Sequence, residues 1–142
     1  MNHFLTNTEM ASLVEAIKIA EDHSSGEIRV HIDSTSETNF AEKAFGIFKS
    51  LDMHLTKERN AVLFYVNFEQ HYLTIIGDEG IHKKVKQSFW DTIHDEITAE
   101  FAKENYYNGL KQAILKTGFE LKKYFPVIGE NINELSNDIS FS

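Results

Sequence analysis

The 142-residue chain contains no cysteine and a single proline. Without cysteine, disulfides, thiolate nucleophiles and zinc ribbons are excluded. Arginine is nearly missing as well, since Arg29 and Arg59 are the only two. A phosphate-binding face needs clustered Lys and Arg, and 14 Lys+Arg stand against 22 Asp+Glu for a net charge of −8. Nucleic acid is thereby excluded as the main partner. Long apolar runs are missing too. The longest, Ala61 to Val66, has six residues, where a membrane span needs about 20, so no direct membrane insertion is expected. The opening MNHFLTNTEM lacks the basic start and apolar core of a signal peptide, which points to a cytoplasmic location. No Walker-type phosphate loop, His-Glu-x-x-His, Gly-x-Ser-x-Gly or EF-hand loop occurs, so covalent hydrolase chemistry has no positive support.

What is present is ordinary globular material. Hydrophobic residues make up 42% and charged residues 25%, which excludes wholesale disorder. The length suits one hydrophobic core that needs no metal or disulfide merely to fold. We expect a single domain over residues 1–128 and an acidic tail over residues 129–142.

Thr6 and Glu9 form a capping-box pattern, and Met10, Leu13, Val14, Ile17 and Ala20 follow at helical spacing. A helix from Thr8 to His23 is predicted, stopped by Ser24-Ser25-Gly26. Glu27 to Asp33 alternates strictly, as a strand does. Phe40, Ala44, Phe45, Phe48 and Leu51 predict a helix to about Met53. Asn60 to Phe68 is nearly all apolar, the pattern of a strand covered on both faces. Glu69-Gln70 is a turn candidate, and His71 to Ile76 completes a hairpin. A long helix follows Gly77-Asp78-Glu79-Gly80, and a last one ends before Pro126. The order is α-β-α-β-β-α-α. It predicts an α/β three-layer sandwich, a central mixed sheet of three to four strands flanked by helices. The helix between the first two strands makes them parallel.

Parallel pairing places Glu27 and Asn60 at one end of the sheet, and the hairpin returns Asp78 and Glu79 to that same end. Carboxylates and an amide oxygen are the hard ligands of Ca²⁺ or Mg²⁺. Glu27, Asn60, Asp78 and Glu79 are therefore candidate metal ligands. Two crowded carboxylates would also suit acid–base work. Arg59, just ahead of the central strand, suits an anion or an ion pair, as does Arg29. His31, on the polar face of its strand, and His82, four residues after Asp78, are candidates for a supporting shell. The other end of the sheet holds a thinner set, Asp33, Asn67 and His71.

Three segments carry a family resemblance: Ser25-Gly26-Glu27-Ile28-Arg29-Val30-His31-Ile32, Arg59-Asn60-Ala61-Val62-Leu63, and Ile76-Gly77-Asp78-Glu79-Gly80-Ile81. They look like the successive signatures of the TPM domain. Asn105 to Leu110 resembles its Tyr-x-Gly-Leu segment. The ending Asn133 to Phe141 is similar to a short bacterial branch. The resemblance implies an α/β sandwich, divalent-cation binding with calcium ahead of magnesium, and the acid-phosphatase activity described for some members. It also implies a protein partner close to membrane-protein quality control. Where the family commonly reads Asp-Asn-Gly, this chain has Arg59-Asn60-Ala61, so one acidic ligand is replaced and only Asn60 carries over. Three functions therefore stay open: a cation-binding accessory domain, a weak metal-dependent phosphatase using Asp78 or Glu79 as base, and a metal-free protein-interaction module.

Overall fold

The computed structural model describes residues 4–36, 38–127 and 135–142. The first helix, α1 (Asn7–Glu21), starts where the sequence places it. The amide of Glu9 donates to Thr6 Oγ1 at 3.0 Å and the amide of Thr6 donates to Glu9 Oε1 at 2.9 Å. This reciprocal cap satisfies two amides that the first turn leaves without helical partners. Strand β1 (Glu27–Ile32) follows, then α2 (Phe40–Ser50), a 3₁₀ turn at Met53–Leu55, and the β2 (Ala61–Asn67) and β3 (Tyr72–Gly77) hairpin. Two long helices, α3 (Glu79–Ala102) and α4 (Tyr106–Tyr124), come next, and Ser140–Phe141 form a short β4.

The sheet order is β3-β2-β1-β4. β1 and β2 are parallel with Glu27 opposite Ala61, and β2 and β3 are antiparallel with Val62 opposite Gly77. Alternation along the strands builds a core on each face. Ile28, Val30, Ile32, Val62, Phe64 and Val66 belong to the larger core, with Leu13 and Ile17 of α1, Ile93 and Ile97 of α3, and Ile114 of α4. Ala61, Leu63 and Tyr65 meet Ala44, Phe48 and Met53 on the other side. The result is the expected three-layer α/β arrangement, with β2 buried along its whole length. At the α1–α4 contact, a Cβ on Gly118 would lie 2.5 Å from the Ala20 Cβ. Only glycine lets the end of α1 settle this close to α4.

Three features depart from the periodicity. The helix expected to reach about Met53 ends at Ser50, because Asp52 turns left-handed (φ 58°) and sends Met53 into the smaller core. Helix α3 is kinked at Lys86, whose φ is 69°. The last residues return to the sheet, where β4 runs parallel to β1 with Ser140 opposite His31 and Phe141 opposite Ile32. The first two residues of the resemblance at Asn133 to Phe141 lie outside the described residues, as does part of the expected acidic tail.

Candidate functional site

Register brings three chain segments to one rim of the sheet. The amide of Asp78 donates to the Ala61 carbonyl at 2.9 Å, and that of Glu27 to the Asn60 carbonyl at 3.5 Å. Glu27, Asn60, Asp78 and Glu79 therefore share the end where the sequence places them. Their side chains divide into two groups.

In the first group Asp78 caps α3, accepting from the Glu79 amide at 2.8 Å. Arg59 grips the same carboxylate at two points, with Nε 2.6 Å from Oδ2 and Nη2 2.8 Å from Oδ1. A two-point guanidinium–carboxylate pair fixes geometry as well as charge. Its hydrogen bonds to Asp78, and then the charges of Asp78 and Glu79, hold the Arg59 guanidinium above its ordinary pKa. Glu79 is exposed, 3.7 Å from Arg59 Nη1. The loop carrying Arg59 has a left-handed φ of 53° there. The amide of Gly80 donates to the Arg59 carbonyl at 2.7 Å. A Cβ on Gly80 would sit 2.1 Å from the Glu58 carbonyl oxygen, so glycine alone permits this approach.

The second group is buried. Asn60 is 0% exposed; its Nδ2 donates to Ser25 Oγ at 3.0 Å, while its Oδ1 has no hydrogen-bond partner. Glu27 is 1% exposed and shares a side-chain hydrogen bond with Glu21, itself 5% exposed. Glu21 Oε2 also accepts the Ile28 amide at 2.7 Å. Burial first, then the charge of Glu27, pushes the Glu21 carboxyl up from 4.5 to about 9. Glu21 therefore keeps its proton at neutral pH and donates it into the pair.

The remaining candidates border these groups without joining them: Arg29 adds its charge near Glu21, and the His82 amide donates to the Asp78 carbonyl at 2.9 Å. Arg29 Nη2 donates to the Asp138 carbonyl at 3.2 Å, and burial lowers the guanidinium pKa. The ring of His31 touches Ser140 Oγ and Ser142 Oγ, each at 2.7 Å, and burial lowers its pKa. Both side chains hold the C-terminal segment against β1. His82 lies in the first turn of α3 and accepts from the indole of Trp90 at 3.1 Å. At the opposite rim Asp33 takes a hydrogen bond from Tyr65, another from the Thr35 amide at 2.9 Å, and an ion pair from Lys43 at 3.0 Å. Burial pushes this carboxyl up. The bonds from Tyr65, Thr35 and Lys43, with the Lys43 charge, outweigh that and hold it at about 2.

The TPM domain profile matches residues 1–118. The chain belongs to the TPM domain family. The NMR structure of the BA42 protein from the psychrophilic bacterium Bizionia argentinensis is 42% identical, with a TM-score of 0.91 over 100% of this chain and 98% of that one. The N-terminal domain of a P. gingivalis protein gives a TM-score of 0.72 at 16% identity, covering 91% of this chain and 84% of that one. The N-terminal domain of the Corynebacterium glutamicum cg2496 protein gives 0.66 at 9% identity, covering 92% and 81%. These last two share the fold. No curated protein matches the chain.

In this TPM domain, no three His, Cys, Asp or Glu side chains cluster as metal ligands among the described residues. The oxygen that best fits a hard cation is Asn60 Oδ1, buried and without a donor. Both Asp78 carboxylate oxygens are engaged by Arg59. Sequence reading missed Glu21, whose spacing says only that it ends a helix. Its weak signal is the count of six residues back from Glu27, across the Ser-Ser-Gly turn that folds one onto the other.

Proposed function

We propose that this TPM domain is a non-catalytic accessory module that takes up a divalent cation, calcium ahead of magnesium, beside Asn60 and Glu27. One observation carries the reading: Asn60 Oδ1 is fully buried and unbonded, on the residue whose carbonyl receives the Glu27 amide. Leaving such an oxygen without a donor costs about 1–3 kcal/mol. A hard cation would satisfy it, with Glu27 supplying negative charge. Asp78 and Glu79 are the further oxygen donors of the rim, at present facing Arg59. The module would serve a protein partner, membrane-associated as the family resemblance implies.

The test is a titration of the ¹⁵N-labelled chain with CaCl₂ and MgCl₂. Saturable amide shifts at Ser25, Glu27 and Asn60 that Asn60→Ala removes are expected. Shifts spread evenly over the acidic surface, or unchanged by that substitution, sink the reading. The metal-free interaction module would then stand in its place, favoured by the two-point Arg59–Asp78 pair, which neutralises the rim from within. A phosphatase mechanism draws less support. Its base must be a free carboxylate within reach of substrate, and both Asp78 oxygens already receive hydrogen bonds from Arg59. Turnover of p-nitrophenyl phosphate that is lost on Asp78→Ala and on chelation would restore it.

A further inference from the structure

Far from the Glu27 rim, the β2–β3 turn and the α3–α4 junction enclose a cavity of about 560 Å³. Small-ligand sites span roughly 300–1,000 Å³. The apolar wall is built from Phe68, Phe101 and Tyr106, together with Leu73. The three rings brace one another, with centroids 5.3 Å apart for Phe68–Phe101, 5.0 Å for Phe68–Tyr106 and 5.4 Å for Phe101–Tyr106. Such a wall is held in place before any ligand arrives.

The hydroxyls of Tyr72, Thr98 and Tyr106 can donate or accept, and His71 and His94 each carry one acceptor nitrogen when neutral, so the preference for a ligand's sign rests on the charged residue of the lining. Asn67 is spent, since its Nδ2 donates to the Thr35 carbonyl at 2.9 Å and its Oδ1 takes the Gln70 amide at 3.1 Å. His94 Nε2 lies 3.1 Å from the Leu73 carbonyl oxygen. A carbonyl can only accept, so a neutral His94 ring carries its proton on Nε2 and leaves a lone pair on Nδ1. Among the described residues, Glu104, exposed at the mouth, is the one acidic residue of the lining, and neither Lys nor Arg lines the cavity. With its histidines neutral the described lining carries one formal negative charge, and the ring faces of the wall also favour a positive group.

We propose that this cavity binds a small organic ammonium with an aromatic body, an arylalkyl amine. The ring packs against Phe101, Tyr106 and Leu73. The ammonium brings the donors that Glu104 and His94 Nδ1 lack. A carboxylate ligand is rejected by Glu104, and a neutral alcohol forgoes the charge-assisted bond. The volume takes one ring and a short chain, which sets a free amine apart from a folded peptide.

The full chain is titrated at neutral pH with phenethylamine, 2-phenylethanol and 3-phenylpropionate, following ring and methyl resonances. Phenethylamine is expected to give saturable shifts at Leu73, His94, Phe101 and Tyr106. The alcohol should bind about 5-fold more weakly and the acid not measurably. Glu104→Gln should weaken the amine about 5-fold and leave the alcohol unchanged. Thr98→Trp, an exposed position on the lining face of α3, should abolish the shifts while the rest of the spectrum stays native. Equal affinity for the three probes, shifts elsewhere on the surface, or no saturable response to the amine each overturn the proposal.

Discussion

Replacing Glu21 by Gln should stabilise the protein, and by an amount that depends on pH. The Glu21 carboxyl is raised from 4.5 to about 9, by burial first and by the Glu27 charge second. The folded chain therefore keeps a proton that the unfolded chain releases near pH 4.5. Between these two values the native state binds more protons, so stability falls as pH rises. Stability is fully present below pH 4.5 and this contribution is gone above about 9. At pH 7 the medium lies about 2.5 pH units above the unfolded value. At about 1.4 kcal/mol per unit the penalty reaches at most about 3.5 kcal/mol. Glutamine has nearly the shape of the protonated acid. Its NH₂ can donate to Glu27 and its oxygen can accept the Ile28 amide. Glu21→Gln should gain about 1–3 kcal/mol at pH 7, still more at pH 8.5, and nearly nothing at pH 4.5. Urea unfolding followed by the fluorescence of Trp90 at those three values measures it. Glu21→Ala separates packing from charge. It removes the acceptor of the Ile28 amide and opens a void, at a cost of about 2 kcal/mol even at pH 4.5. If the Gln variant is no more stable than wild type at pH 7, or gains equally at pH 4.5, the buried acid pair does not exist as described.

Three further outcomes follow from the same geometry. Asp33 is held at about 2 against an ordinary 3.8, so its contribution is present above pH 3.8 and lost as pH falls through 2. Asp33→Ala should cost about 2 kcal/mol at pH 7 in denaturant unfolding, with the gap to wild type closing in acid. Gly80→Ala drives a Cβ to 2.1 Å from the Glu58 carbonyl oxygen. A loss of about 2 kcal/mol or more, seen as a lowered Tm, is expected, and an unchanged Tm would show that the loop gives way. Arg59→Ala releases the Asp78 carboxylate to the rim. Calcium affinity measured by calorimetry should rise several-fold, and an unchanged or weaker affinity would separate Asp78 from the cation site.

The architecture was legible because its signals are local and redundant. The capping box fixes the start of α1, the alternation over Glu27 to Ile32 gives β1, and the apolar run from Ala61 gives the strand buried on both faces. The meeting of Glu27, Asn60 and Asp78 at one rim followed from topology alone. A parallel pair and one hairpin leave no other placement. Less legible were features without periodicity. Ser140–Phe141 is too short to alternate, and the left-handed backbone at Asp52 and Lys86 involves residues with no glycine to mark them. His31 shows how far a strand position is from a role. It is buried against the ring of Tyr65, and its hydrogen-bond partners are the serines of the returning C-terminal segment.

Composition and order therefore determined the class of molecule: an acidic α/β sandwich of the TPM family, without thiol chemistry and without a long apolar span. Tertiary structure decided which charges meet. Glu21 faces Glu27 because a close α1–α4 contact lowers the end of one helix onto the edge of β1. Asp78 faces Arg59 because Gly80 lets two backbones touch. Periodicity specifies faces along one element, whereas the choice of partner for a carboxylate depends on distances of a few ångströms between elements far apart in the chain. That choice makes one acid a proton holder and the other half of an ion pair.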